Sequence, residues 1–141
     1  MGKRVVIIGG AMQGCELAEF LTLRGRDVTI VDKAEELGEG LGSEKMSRLF
    51  KWMAIKGVST ITGVRSYEKI SDNVLTIINS HGEEQLVFAD TVIIALPAVS
   101  DTDFMEKLAG KIPEMYQIGD CREPGLIAHA VADGAKIGRK V

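Results

Sequence analysis

The chain has 141 residues, of which 17 are Lys or Arg and 20 are Asp or Glu, so its formal net charge is −3. With 45% hydrophobic and 26% charged residues, it has the composition of one ordinary soluble domain that is long enough to form a hydrophobic core. The slightly acidic balance argues against nucleic acid and anionic membrane surfaces as partners, because both attract basic patches.

The two cysteines and the first residues bear on the compartment. Cys15 and Cys121 belong to no Cys-x-x-Cys pair, so the sequence predicts no redox disulfide, zinc site or iron–sulfur cluster. Residues 1–4 lead directly into a four-residue apolar run, which is too short for a signal peptide or a membrane span. These features favour a cytoplasmic location.

The first part of the chain is predicted to alternate strands and helices. Apolar β-branched runs that end in glycine are typical of strands buried on both faces of a parallel sheet. The elements predicted in chain order are a strand at 5–8, a helix from 13 to about 24 capped by Gly25, a strand at 27–31, a helix capped by Ser43 and ended by Gly57, and a strand at 58–61.

The alternation of strands and helices ends after the strand at 58–61. Runs at 66–70, 74–78 and 85–88 are separated by polar turns, which predicts an antiparallel β-meander. Further elements are predicted at 91–95 (a fourth buried strand), 103–108 (a short helix), 115–118 (a candidate fifth strand) and from about 127 to the end (a final helix). We therefore expect a three-layer, Rossmann-like α/β domain, with the meander packed on one side of a parallel sheet.

A glycine-rich turn lies between the first strand and the first helix, where a dinucleotide-binding fingerprint would lie. Gly9 and Gly14 fill its first and third positions, and Ala11 stands at the second, with its methyl group toward the usual pyrophosphate space. The predicted cofactor-binding residues of the turn are Gly9, Gly10, Ala11, Met12, Gln13 and Gly14. Their backbone N–H groups and the helix dipole would attract a phosphate anion.

An acidic residue follows the second strand. Asp32 has about the separation from the glycine turn that suits a carboxylate bound to the adenosine ribose. Its charge would repel an adenosine 2′-phosphate, which favours NAD(H) over NADP(H). Lys33 is the next predicted site residue, and its charge would offset part of that repulsion.

Several residues also have purely structural interpretations, which involve no ligand. The glycine turn itself could serve packing alone. The segment from Gly38 to Gly42 follows no strand and is interpreted as a flexible connection, and Cys15 is interpreted as a small packed residue rather than a reactive thiol. His81 and His129 are interpreted as structural. We predict no catalytic acid or base and no metal ligand.

Two segments carry a family resemblance. The run of residues 5–19, VVIIGGAMQGCELAE, resembles the pyridine-nucleotide-binding segment of two-dinucleotide-binding flavoproteins. Residues 116–121, YQIGDC, with Glu123-Pro124-Gly125 and the helix after them, resemble the motif that closes the FAD domain. The chain is most similar to the C-terminal half of the 2,4-dienoyl-CoA reductase, enoate reductase and trimethylamine dehydrogenase group, the NADH:flavin oxidoreductases.

The resemblance implies a part of a larger enzyme. In complete members an FMN-bearing barrel reduces the substrate, an iron–sulfur cluster passes electrons and FAD accepts hydride, and 141 residues cannot hold a barrel of about 250. It thus implies a single NAD(P)-binding domain over residues 1–141, with 115–141 similar to the closing strand and helix of the FAD domain and Asp120 similar to a residue that contacts FAD. The resemblance also implies the FAD/NAD(P)-binding fold, with the FAD half-domain and the FMN barrel as partners. The surface that a missing FAD half would leave exposed could also let the fragment form a homodimer.

The sequence leaves three functions open, a leading hypothesis and two alternatives. The leading hypothesis is an NAD(H)-binding domain that orients nicotinamide for hydride transfer to FAD. The first alternative is a module that holds ADP or a similar adenosine nucleotide without redox chemistry, which Ala11 would favour. The second is a scaffold or interaction domain.

Overall fold

The computed structural model describes residues 2–141, and the chain divides at Leu96 into two units. Each unit is described by itself. In the first unit, four parallel strands form a sheet in the order β3-β2-β1-β7. The strands are β1 (Arg4–Ile8), β2 (Asp27–Val31), β3 (Ser59–Ile61) and β7 (Thr91–Ile94), so the four predicted parallel strands are confirmed.

Two helices cover one face of this sheet, α1 (Met12–Thr22) and α2 (Ser43–Lys56). Their inward side chains share a core with alternate residues of β1 and β2, because side chains alternate between the faces of a strand. The buried members are Val5, Ile7, Cys15, Ala18, Leu21, Val28, Ile30, Leu49 and Met53.

The ends of the helices follow local backbone geometry. After α1, Gly25 has φ +73° and its N–H donates to Thr22, while the Arg26 N–H donates to Leu21, as in a Schellman motif. Gly57, with φ +75°, likewise ends α2 as predicted. The prediction that Ser43 caps α2 is wrong by one residue: the Gly42 carbonyl accepts the first helical hydrogen bond, from Met46, and Ser43 is already helical.

The predicted meander covers the other face. It consists of β4 (Ser66–Ser71), β5 (Val74–Ile78) and β6 (Glu84–Phe88), paired antiparallel in that order. Its inner residues share a second core with the remaining residues of the parallel sheet, and the buried members are Val6, Ile8, Val31, Val64, Leu75, Ile77, Val87 and Ala89. Helices, parallel sheet and meander make three layers, which confirms the predicted fold class.

The second unit, Pro97–Val141, has little regular structure. It contains α3 (Asp103–Leu108), a 3-10 turn (Gly119–Cys121) and α4 (Ile127–Ile137), and none of its residues is buried. The predicted fifth strand at 115–118 is wrong, because a strand requires a hydrogen-bonded neighbour and no described strand pairs with this segment. Among residues 2–141, no helix combines the length and the apolar character needed to cross a membrane.

Candidate nucleotide-binding site

The glycine turn connects β1 to α1, and two of its glycines are required by close contacts. Gly9 has φ +110°, and a Cβ there would lie 2.5 Å from the carbonyl oxygen of Ala95, just after β7. A Cβ on Gly14 would lie 1.9 Å from the carbonyl oxygen of Gly9. Gly9 therefore makes the tight turn and Gly14 lets α1 approach the strand, as the fingerprint requires of its first and third glycines.

Asp32 is tied to this turn. One carboxylate oxygen of Asp32 accepts a hydrogen bond from the Gly10 N–H, and the other accepts one from the Ala34 N–H at 2.8 Å. The side chain is half-buried. Because an ionised carboxylate offers about four acceptor positions, Asp32 can still accept hydrogen bonds from a hydroxyl-bearing ligand.

The start of α1 offers fewer free donors than the sequence indicates. The Met12 N–H donates to the Glu39 carbonyl at 2.8 Å, so this amide is already satisfied. The next two amides, of Gln13 and Gly14, have no acceptor among residues 2–141. Free N–H groups in a first helical turn lie at the positive end of the helix dipole and suit an anion.

The segment from Gly38 to Gly42 is not the flexible connection that was predicted. The Gly38 N–H donates to the Gly10 carbonyl at 2.7 Å, and the Glu39 carbonyl satisfies Met12. The positive φ of Gly38 (91°) and Gly40 (85°) allows this path. The segment therefore forms one wall of the site. The sequence signal that could have identified it is the alternation of glycines that begins at Gly38.

Cys15 lies behind the turn and is fully buried. Its Sγ is 3.2 Å from the Gly10 carbonyl oxygen, to which the thiol donates. Burial, assisted by the charge of Asp32, raises the pKa of the Cys15 thiol to about 11. The group is protonated at neutral pH, so Cys15 is a packed residue as predicted.

Lys33 makes a different contact from Asp32. Its ammonium is 5.6 Å from the centroid of the Tyr67 ring, and Tyr67 is a residue of the meander. Asp32, in contrast, contacts the glycine turn. Although they are neighbours in sequence, the two charges are directed to different surroundings.

An apolar cleft of about 440 Å³ lies beside the glycine turn, between the segment after β2, α2 and β3. Leu37 connects it to the turn, since a Cβ built on Gly10 would lie 2.3 Å from Leu37 Cδ2 and 3.3 Å from an oxygen of Asp32. Its other lining residues include Glu35, Glu36, Met46, Phe50, Met53 and Thr62. Helical periodicity places Met46 and Phe50 on the apolar face of α2, but it cannot tell a core residue from one that lines a cleft, and both are only half-buried.

Asp120 belongs to the second unit. It lies in the 3-10 turn, and its side chain accepts a hydrogen bond from the Gly125 N–H at 3.2 Å. A cleft of about 520 Å³ at the start of α4 is lined by Asp120, Gly125, Leu126, Ile127, Ala130 and Val131. Among residues 2–141, no group of three or more His, Cys, Asp or Glu side chains is arranged to hold a metal ion.

Known proteins resemble this chain in sequence and in fold. Cinnamate reductase of Clostridium sporogenes is 25% identical over 144 residues, covering 100% of this chain and 21% of that protein. NADH oxidase of Thermoanaerobacter brockii is 27% identical over 138 residues, covering 96% of this chain and 21% of that protein. A solved complex of 2-naphthoyl-CoA reductase aligns with 100% of this chain and 21% of its own, with a TM-score of 0.85 and 27% identity.

These relatives are much longer polypeptides, and this chain spans about a fifth of their length. They confirm the resemblance to enoate reductase-like flavoproteins that the sequence indicated. A family model described as pyridine nucleotide-disulphide oxidoreductase matches residues 1–134. Because that match takes in both the glycine turn and Asp120, we conclude that the chain belongs to the pyridine nucleotide-disulphide oxidoreductase family.

Proposed function

We propose that the first unit binds NAD(H) and orients its nicotinamide within a flavin-dependent oxidoreductase. The observation that carries the proposal is the pairing of a free amide at the exposed residue Gln13 with a carboxylate, Asp32, that is hydrogen-bonded to the same glycine turn. A dinucleotide presents both matching groups, an anionic diphosphate and a ribose with two hydroxyls.

The ADP half of the nucleotide has counterparts in the first unit. The Gln13 amide and the helix dipole of α1 would hold the diphosphate, and Asp32 would accept hydrogen bonds from the adenosine ribose. The apolar cleft next to Leu37 suits the adenine ring, because it is lined by half-buried Met46 and Phe50. The Asp32 charge disfavours a 2′-phosphate, so NAD(H) is proposed over NADP(H).

The chemistry would come from the cofactors. When bound, a reduced nicotinamide supplies a hydride to a flavin. The residues of this chain bind and orient the nucleotide, and we assign none of them a proton-transfer role. In the second unit, Asp120 and the cleft at the start of α4 would form part of the FAD site.

A flavin site would need further protein. Because this chain spans about a fifth of the longer relatives, they support the remainder of a larger flavoenzyme as its partner. The FAD half-domain and the FMN barrel are the parts that we propose for that remainder. The single-domain organisation, the homodimer and the cytoplasmic location remain predictions. The isolated chain is then a binding module rather than a complete catalyst.

A second candidate is a module that binds ADP without redox chemistry. One observation favours it: the start of α1, Asp32 and the apolar cleft all face groups that belong to the ADP half of the nucleotide, and no described contact is assigned to the nicotinamide half. ADP needs only the diphosphate, ribose and adenine contacts.

Calorimetric titration of the purified chain with NADH, NADPH and ADP in one buffer separates the candidates. A clear preference for NADH over both others supports the nicotinamide function. Equal affinity for ADP and NADH would favour the ADP module, since the nicotinamide half would then add no contacts. Binding of none of the three would contradict both candidates.

A further inference from the structure

The end of β2 directs its last side chains alternately to the two faces of the sheet. Ile30 lies in the core under the helices, and Val31 lies in the core under the meander. The alternation continues beyond the strand, because Asp32 contacts Gly10 of the glycine turn and Lys33 lies over the Tyr67 ring. A cation that the sequence places next to Asp32 is therefore held on the meander side.

Tyr67 is well placed to hold Lys33 there. Its ring packs against the core under the meander, and its hydroxyl donates to the Val31 carbonyl at 3.4 Å. The Lys33 ammonium is 5.6 Å from the ring centroid, within the range of a cation–π interaction. Burial, followed by the charge of Asp32, raises the pKa of the Tyr67 hydroxyl, which keeps the side chain neutral and able to donate.

We infer that Tyr67 is a positioning residue for nucleotide selection, because it holds the Lys33 ammonium on the meander face and away from the position of an adenosine 2′-phosphate. The inference rests on the proposed function. A 2′-phosphate carries about two negative charges at neutral pH. Beside Asp32 it would need a cation, and Lys33, on its flexible four-carbon stem, is the cation next in the chain.

The consequence is that selectivity against NADPH depends on Tyr67, a residue of the meander that is distant from Asp32 in the sequence. Loss of the Tyr67 ring would free Lys33 to approach the phosphate. An exposed cation–π interaction is weak, so the release should strengthen NADPH binding by only about two- to fivefold. NADH lacks the phosphate and should bind as before.

The test compares the ratio of NADPH to NADH dissociation constants in four proteins, with folding checked by circular dichroism. Tyr67→Leu should lower the ratio about two- to fivefold through tighter NADPH binding. Tyr67→Phe keeps the ring and should keep the ratio of the unchanged chain. Adding Lys33→Met to Tyr67→Leu should cancel the gain, since the gain acts through the ammonium.

An unchanged ratio in folded Tyr67→Leu, or a gain that survives Lys33→Met, would overturn the inference. Should Tyr67→Leu not fold, Lys33→Met alone decides: a loss of NADPH affinity above twofold would show that Lys33 already reaches the phosphate. Failure of the proposed function has a different signature, because the unchanged chain would then bind neither nucleotide. In that case NMR still tests the contact, and ε-proton shifts of Lys33 that are the same with and without the ring would refute it.

Discussion

The carboxylate of Asp32 accepts a hydrogen bond from the backbone N–H of Gly10. The residue proposed to bind the ribose therefore also fixes the turn proposed to bind the diphosphate. Ribose selection and turn geometry are coupled through one side chain, so a substitution of Asp32 should affect stability as well as binding.

Asp32→Ala should weaken NADH binding about tenfold or more, because a hydrogen bond to a charged group contributes about 1.5–3 kcal/mol. It should also reduce the preference for NADH over NADPH. Titration calorimetry measures both, and thermal unfolding shows the accompanying destabilisation from the unpaired Gly10 and Ala34 amides. Asp32→Asn, which retains one acceptor oxygen, serves as the milder comparison. Unchanged affinity for both nucleotides would remove Asp32 from the site.

Gly14→Ala should destabilise the first unit by about 1–3 kcal/mol or more, as expected for overpacking. The added methyl group would lie 1.9 Å from the Gly9 carbonyl oxygen. Gly134→Ala is a matched control, because Gly134 is also helical and a Cβ there meets nothing within 4 Å. That control should be neutral or stabilising by up to about 1 kcal/mol. Equal urea midpoints for the two variants would show that α1 can shift away from the turn.

Asp90 should make the stability of the first unit depend on pH in acid. Its carboxylate accepts hydrogen bonds from the Arg4 guanidinium and from the Arg4 and Lys3 amides. The bonds to Arg4 are the main reason that the pKa of Asp90 is lowered from 3.8 to about 2. A folded-state pKa below the unfolded one contributes stability above pH 3.8, and this contribution is lost as the pH falls to about 2.

Denaturant midpoints measured between pH 5 and pH 2 check this dependence against Asp90→Asn. The variant should be less stable than the parent at pH 5, and the difference should shrink toward pH 2. Curves that stay parallel over the whole range would mean that Asp90 titrates normally in the folded protein.

The two cysteines should differ in reactivity. Cys15 is buried with a pKa of about 11, whereas Cys121 is exposed. Thiolates rather than thiols react with alkylating agents, so iodoacetamide at pH 8 should label Cys121 first in the folded chain. Mass spectrometry of the native and the urea-unfolded protein measures this, with Cys121 as the internal reference. Equal labelling rates in the native protein would show that Cys15 is accessible.

Local sequence patterns were sufficient for most of the elements. The bounds of β2, β5 and α3 coincide with the predicted ones, since runs of β-branched residues, glycine stops and turn residues act over a few neighbouring positions. Segment 115–118 has the same apolar character and forms no strand, because pairing depends on a partner that the segment itself does not encode.

The sequence by itself therefore determined the three-layer fold, the glycine turn and the position of Asp32 after β2, each of which follows from periodicity or spacing within one βαβ unit. Only the tertiary structure decided which groups of the site are free. The Met12 amide is bonded to Glu39, and the Lys33 ammonium lies over the Tyr67 ring. Those contacts join residues that are distant in the chain. They form because α1, the segment after β2 and the meander pack together, and no local sequence pattern relates the groups that meet there.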